Sequence, residues 1–251
     1  VDFEITSPGN PRIKRLARLC RGEREEGLFA VEGRRLVERA LAAGYEPVEV
    51  YGDGSVAVPG LEMTLVATEA LDRASYRDRS EGLIAVFPRR ERRLDDLRPG
   101  SPPLVLLAEG LEKPGNLGAI LRTADAVGAD AVITLSTEVD VFNPNALRAS
   151  TGAVFTVPVA PATVTEAREW LTAHGITLVA ADPGAAVELW EADLSGGVGL
   201  LVGAEDEGLT GGARSAADLL VSIPMAGTAD SLNASVAMAV LAYEAVRQRR
   251  S

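Results

Sequence analysis

Three short segments hold the polar residues of this 251-residue chain whose types and spacing could do chemistry. The first, Glu109-Gly-Leu-Glu-Lys113-Pro-Gly-Asn116-Leu-Gly118, runs into an apolar-periodic helix carrying a lone cation, Arg122. The second is Leu201-Val-Gly203-Ala-Glu205-Asp-Glu207-Gly-Leu, and the third runs Ile223-Pro-Met225-Ala-Gly-Thr-Ala-Asp-Ser231-Leu232-Asn233-Ala-Ser. A Gly-Asn loop at a helix start presents unpaired main-chain N–H groups and the positive end of the helix dipole, a cradle for an anion. EKPGNLG therefore reads first as a holder of a nucleotide. Each segment also has a plainer reading: Gly-Asn as a turn, Glu205 to Glu207 as an acidic turn, Ser-Leu-Asn as a helix cap, and Arg122 as the surface partner of Asp125 or Glu205.

Several chemistries are missing. The one histidine, His174, precedes Gly175 at a helix end, where ordinary electrostatics suit it, so Ser-His-Asp triads and histidine metal sites are disfavoured. A single cysteine, Cys20, permits neither an intrachain disulfide nor a zinc cluster, and no metal is expected. There is no GxxxxGK[ST] loop. PGNLG is not GxGxxG and lacks the ribose-binding acid of a dinucleotide fold.

The elements that must position these residues fall into two groups. PRIKRLARLC (11–20) predicts a helix with Ile13, Leu16 and Leu19 on one face. LFAVEG, VEVYG, MTLVA and GLIAVF read as strands, and GRRLVERALAAG and ATEALDRASY as helices, giving a small α/β domain over 1–88. FPRRERRLDDLRPGSPP is polar and proline-rich, a linker over 89–103. From 104 to 251, apolar strands alternate with helices, the pattern of a mostly parallel sheet covered on both faces. VFTVPV is read there as a strand. The final helix carries a stripe of Leu232, Val236, Val240, Tyr243 and Val246. The fold class is α/β, and the three polar segments sit at carboxyl ends of strands, where open α/β sheets bind ligands.

A net charge of −11 argues at first against a nucleic-acid partner. Residues 1–100 nonetheless hold 17 Lys+Arg against 18 Asp+Glu, while 101–251 hold 8 against 18. Arg12, Lys14, Arg15, Arg18, Arg21 and Arg24 form one basic run, and Arg89, Arg90, Arg92 and Arg93 another. Such runs serve either as a solvated helix face plus linker or as an arm for RNA phosphates. No apolar run approaches the roughly 20 residues a bilayer needs, and the first residues lack a leader pattern, so a soluble cytoplasmic protein is expected.

Taken together and in this order, KPGNLGAILRTA, GAEDEGL and IPMAGTADSLNAS strongly resemble the three motifs of the SpoU (TrmH) family of RNA 2′-O-ribose methyltransferases. The opening ITSPGNPRIKRLARL with LFAVEGRRLVERAL resembles the ribosomal-protein-like substrate-binding domain of one branch. The resemblance implies S-adenosyl-L-methionine as cofactor, RNA (large-subunit ribosomal RNA first) as substrate, a C-terminal trefoil knot in the sheet, and a homodimer whose partner helps build each site. It implies catalytic roles for Arg122, Asn116, Glu205, Ser231 and Asn233. Cofactor contacts fall to Leu201, Gly203, Ile223, Met225 and Leu232, and RNA contacts to Arg12, Lys14, Arg15, Arg18 and Lys113. Lys113, Ala204 and Ala234 depart from the pattern, which has Asn or Asp, Ser, and a β-branched residue there. Two other readings share the fold: a transfer-RNA ribose methyltransferase, and a non-catalytic RNA-binding or ribosome-assembly protein.

Overall fold

The computed structural model describes residues 3–23, 25, 27–77, 79–136 and 139–250; Arg24 of the first basic run lies outside them. The first part contains α1 (Pro11–Cys20), β1 (Leu28–Glu32), α2 (Arg34–Ala42), β2 (Glu49–Gly52), β3 (Thr64–Leu65), α3 (Thr68–Ala74) and β4 (Leu83–Pro88). Asn10 caps α1 by accepting from Arg12 N at 2.9 Å, and Pro11 fills the first turn, where its missing N–H costs nothing. The four strands pair in the order β1-β4-β2-β3, with β4 antiparallel to both neighbours. α1 and α3 bury Ile13, Leu16, Ala70 and Leu71 on one face of this sheet.

The second part contains β5 (Leu104–Glu109), α4 (Pro114–Val127), β6 (Ala131–Leu135), α5 (Pro144–Ser150), β7 (Val159–Ala162), α6 (Val164–Ala173), β8 (Thr177–Ala181), β9 (Val187–Glu188), β10 (Val198–Val202), α7 (Gly211–Ala216), β11 (Leu219–Ser222) and α8 (Ala234–Arg249). All seven strands are parallel, in the order β7-β6-β5-β10-β8-β11-β9. Side chains alternate along each strand. Leu104, Leu106, Leu200 and Val202 pack with residues of α4, α5 and α8, whereas Val105, Leu107, Leu178 and Leu201 pack with α6 and α7. No helix among the described residues is long and apolar enough to cross a membrane.

Three expectations are corrected. VFTVPV is not one strand: residues 153–155 form a 3-10 turn that buries Val154 and Phe155, and β7 starts only at Val159. Packing overrides β-propensity there, and the edge position of β7 accommodates Pro161. The loop before α4 is shorter than read, because the helix starts at Pro114 and PGNLG forms its first turn. The apolar stripe of α8 faces the core only in part: Val240 and Val246 pack against it at its edge, Val236 and Tyr243 are 47% and 54% exposed, and Ala234, Met238, Leu241, Ala242 and Ala245 are buried. Small residues on the inner face let α8 approach closely.

The basic segment after β4 is no free linker. Arg89 makes a two-pronged ion pair with Asp140, at 2.9 and 2.5 Å, and donates to Leu28 O at 3.1 Å. Arg90 lies over the Tyr45 ring at 4.1 Å and donates to Gly44 O. Leu97 is buried in the core of the second part. Across the junction, Phe29 stacks on Phe142 at 4.2 Å, and Tyr45 meets Phe155 edge-on at 5.4 Å. One hydrophobic core thus runs from β1 and β4 into α4, α5 and the large sheet.

Candidate active site

The three polar segments leave the carboxyl ends of β5, β10 and β11. Because β5 and β10 are neighbours, the first two segments face one another. Gly203 lets the second fold back: a Cβ there would lie 2.3–2.5 Å from the backbone of Gly208 and Leu209, and Ala204 and Gly208 exchange main-chain hydrogen bonds at 3.0 and 3.1 Å. Gly118 of the first segment serves packing, since a Cβ would meet Ala146 O at 2.5 Å and Ala149 Cβ at 2.6 Å on α5. Neither the anion cradle nor the free loop of the first reading is what that glycine provides.

Glu205 is the hub. Its Oε1 accepts from Asn116 Nδ2 at 2.8 Å and from Asn233 Nδ2, and its Oε2 pairs with Lys113 Nζ. Asn233 Nδ2 also reaches Asn116 Oδ1 at 3.3 Å. Asn233 is the N-cap of α8, where its Oδ1 accepts from Ser235 N at 3.0 Å and Ser235 Oγ at 2.7 Å. An aspartate caps a helix as well as an asparagine does, but only the amide also has hydrogens to give Glu205. The Lys113 ammonium, then the Asn116 amide, hold the Glu205 carboxyl below the usual carboxylate range. The same contact raises the pKa of Lys113. A carboxylate with three donors and a depressed pKa is a poor proton acceptor at neutral pH.

Beside this network lies a groove of about 550 Å³ lined by Gly203, Ile223, Met225, Ser231 and Leu232. Leu201 is not part of it. The alternation of β10 turns that side chain into the core with α6 and brings Val202 to the groove instead. The apolar walls suit the faces of an aromatic base, and Glu205, Asp206, Glu207 and Asp230 along the rim suit a positively charged ligand. Arg122 stands apart. It is exposed on α4, does not line the groove, and makes no hydrogen bond or ion pair with the described residues. Asp125 instead accepts from Thr156 at 3.2 Å, so neither proposed surface partner holds Arg122.

The expected RNA contacts divide. Lys14 is exposed with no partner among the described residues. Arg12 lies over the Tyr51 ring at 5.2 Å and Arg18 is 3.9 Å from Glu23, both exposed. Arg15 is tied to Glu25 and Glu49, each at 2.5 Å, and these carboxylates raise its pKa. Lys113 is held by Glu205. Sequence reasoning missed Glu109, a buried acid at the end of β5, which accepts from Thr210 N at 2.9 Å and Thr210 Oγ1 at 2.7 Å. It ties the first segment to the end of the second. Its one signal was an acid closing the apolar run LVLLAEG.

Residues 103–243, which contain all three segments, match the SpoU rRNA methylase family. The chain belongs to that family. Residues 10–85 match the MRM3-like substrate binding domain. The 23S rRNA (guanosine-2′-O-)-methyltransferase RlmB of Ralstonia nicotianae is 38% identical over 195 residues, covering 76% of this chain and 78% of that protein. A crystal structure of an RNA 2′-O ribose methyltransferase is 44% identical and superposes with a TM-score of 0.87 over 98% of this chain and 99% of that one. The SpoU methyltransferase AviRb from Streptomyces viridochromogenes, solved with AdoMet, is 30% identical with a TM-score of 0.87, covering 96% of this chain and 99% of that one. In this SpoU methylase the matched span 103–243 contains both the groove and the Glu205 network.

Proposed function

We propose that this chain transfers a methyl group from S-adenosylmethionine to a ribose 2′-hydroxyl of large-subunit ribosomal RNA in the cytoplasm. The observation that carries the reading is the junction of the Lys113–Glu205–Asn116–Asn233 network with the adjoining groove, built from three segments far apart in sequence. S-adenosylmethionine supplies the methyl group on a sulfonium, so transfer needs the hydroxyl oxygen held in line and its proton released. Ile223, Met225 and Leu232 enclose the donor's base, and main chain at Gly203 meets its polar edge. Asn116 and Asn233, fixed by Glu205, set the hydroxyl in place, and Ser231 at the groove mouth adds a hydroxyl to the same surface. The Arg122 guanidinium pairs with the phosphate beside the target ribose and stabilises charge growing on the attacking oxygen. Lys14, Arg12 and Arg18 on α1 extend that contact along the RNA. Mapping 2′-O-methylation in cells with and without the protein tests the reading. One ribose of large-subunit RNA is expected to lose its methyl group. A mark lost from transfer RNA instead would move the substrate, and no lost mark would sink the reading.

The working unit is a homodimer. Two observations support this: the single chain leaves Val236 and Tyr243 of α8 exposed, with the partly buried Val240 and Val246 beside them, and Arg122 lies outside its own chain's groove. The trefoil knot is part of the same reading, and the insertion of β10 between β5 and β8, with α8 returning onto α4 and β10, supports it. Val236→Asp with Tyr243→Asp is expected to give a monomer by sedimentation velocity, still binding donor but inactive. A fully active monomer would contradict the dimer.

A further inference from the structure

Asp182 and Arg214 belong to none of the three motif segments' site residues, yet both line the donor groove. Asp182 follows β8 and is only 4% exposed. Its Oδ1 accepts from Gly184 N at 2.8 Å, and its Oδ2 is ion-paired with Arg214 Nη1. Arg214, on α7, is 48% exposed along its side chain. A buried carboxylate with one charged neighbour fixes that neighbour strongly, because separating the pair would strand an uncompensated charge.

The lining is otherwise one-sided. Among the described residues lining the groove, every charged group apart from Arg214 is acidic: Asp182, Glu205, Asp206, Glu207 and Asp230. S-adenosylmethionine carries two positive groups, the sulfonium and the α-ammonium, and one negative group, the α-carboxylate. The groove thus offers several acids to the two cations and a single cation to the single anion. A guanidinium has five N–H donors in a planar fork, so an arginine anchored through one nitrogen keeps others for a carboxylate.

We propose that Arg214 recognises the α-carboxylate of the methyl donor and that Asp182 is the positioning residue that aims it. This rests on the reading of the groove as the donor site. It makes the Asp182–Arg214 pair a specificity device for an intact methionyl arm, separate from the adenine contacts of Ile223 and Leu232.

The test is calorimetric binding of S-adenosylmethionine and of decarboxylated S-adenosylmethionine to the full chain. The wild type should favour the intact donor by about 10- to 100-fold, the range of one charge-assisted contact. Arg214→Gln should erase or invert that preference, and Asp182→Asn should reduce it while keeping the isosteric side chain. The double variant Asp182→Asn/Arg214→Gln removes the stranded acid and should bind both ligands alike. Arg214→Lys, which keeps the charge and the fold but not the fork, should retain part of the preference. Equal binding of both ligands by the wild type, or an undiminished preference in Arg214→Gln, would overturn the proposal while leaving the donor site in place. Binding of neither ligand by the wild type would overturn the donor site and the proposal together.

Discussion

Arg122→Ala is expected to lower methyl transfer by at least about 100-fold, the effect of deleting one preorganised stabiliser of transition-state charge, while donor affinity stays essentially unchanged. The separation follows from geometry. Arg122 is outside the donor groove and bonded to none of the described residues, so its removal disturbs neither the groove nor the Glu205 network. An exposed guanidinium with no partner among the described residues contributes little to folding, so its removal should leave stability nearly unchanged. Arg122→Lys should recover only part of the activity, because an ammonium lacks the planar fork that grips two phosphate oxygens. Mixed dimers sharpen the test. If each site borrows Arg122 from the second chain, pairing an Arg122→Ala subunit with a groove-blocked Leu232→Trp subunit restores one working site. If Arg122 serves its own chain, no such dimer works. Full turnover by homogeneous Arg122→Ala would remove the residue from the mechanism.

The parts of the site legible in the sequence were those fixed by local chemistry. The helix over Pro11–Cys20 has its boundaries written in an Asn cap and a first-turn proline. The strands β5 and β10 announced themselves as apolar runs because both faces of a parallel sheet are covered. What was hidden depends on partners distant in the chain. Nothing near Lys113 says that it will meet Glu205, 92 residues away. Nor does the sequence around Arg15 show that Glu25 and Glu49 will both pair with it. α8 misled for a different reason. It is apolar on more than one side, and only the contact with α4 and β10 decides that Ala234, Met238, Leu241, Ala242 and Ala245, not Val236 and Tyr243, turn inward. The same ambiguity gives the dimer reading its physical basis, since a larger apolar stripe left outside is a surface that calls for cover.

The segment read as a linker sets up the second large effect. Phe142→Ala is expected to destabilise the whole chain by about 3–5 kcal/mol and to lower its melting temperature by roughly 6–20 °C. Four of the five phenylalanines, Phe29, Phe87, Phe142 and Phe155, gather with Tyr45 where the two sheets meet. Phe142 is their keystone: it stacks on Phe29 at 4.2 Å with planes 28° apart, and the Arg89 guanidinium lies 5.3 Å from its ring centre. Truncating it leaves a cavity between parts that share one core, and it uncovers the Arg89–Asp140 pair beside it. Two parts joined this way unfold together, so calorimetry of the wild type should give a single transition whose calorimetric and van't Hoff enthalpies agree. A flexible tether would instead give two transitions in the wild type and confine the Phe142→Ala loss to the second. The rigid junction bears on function as well. The basic face of α1 can present RNA to the Glu205 network at a fixed offset only if the sheet beneath α1 is held against the methylase sheet. Phe142→Ala, assayed well below its melting point, should therefore weaken RNA methylation more than donor binding.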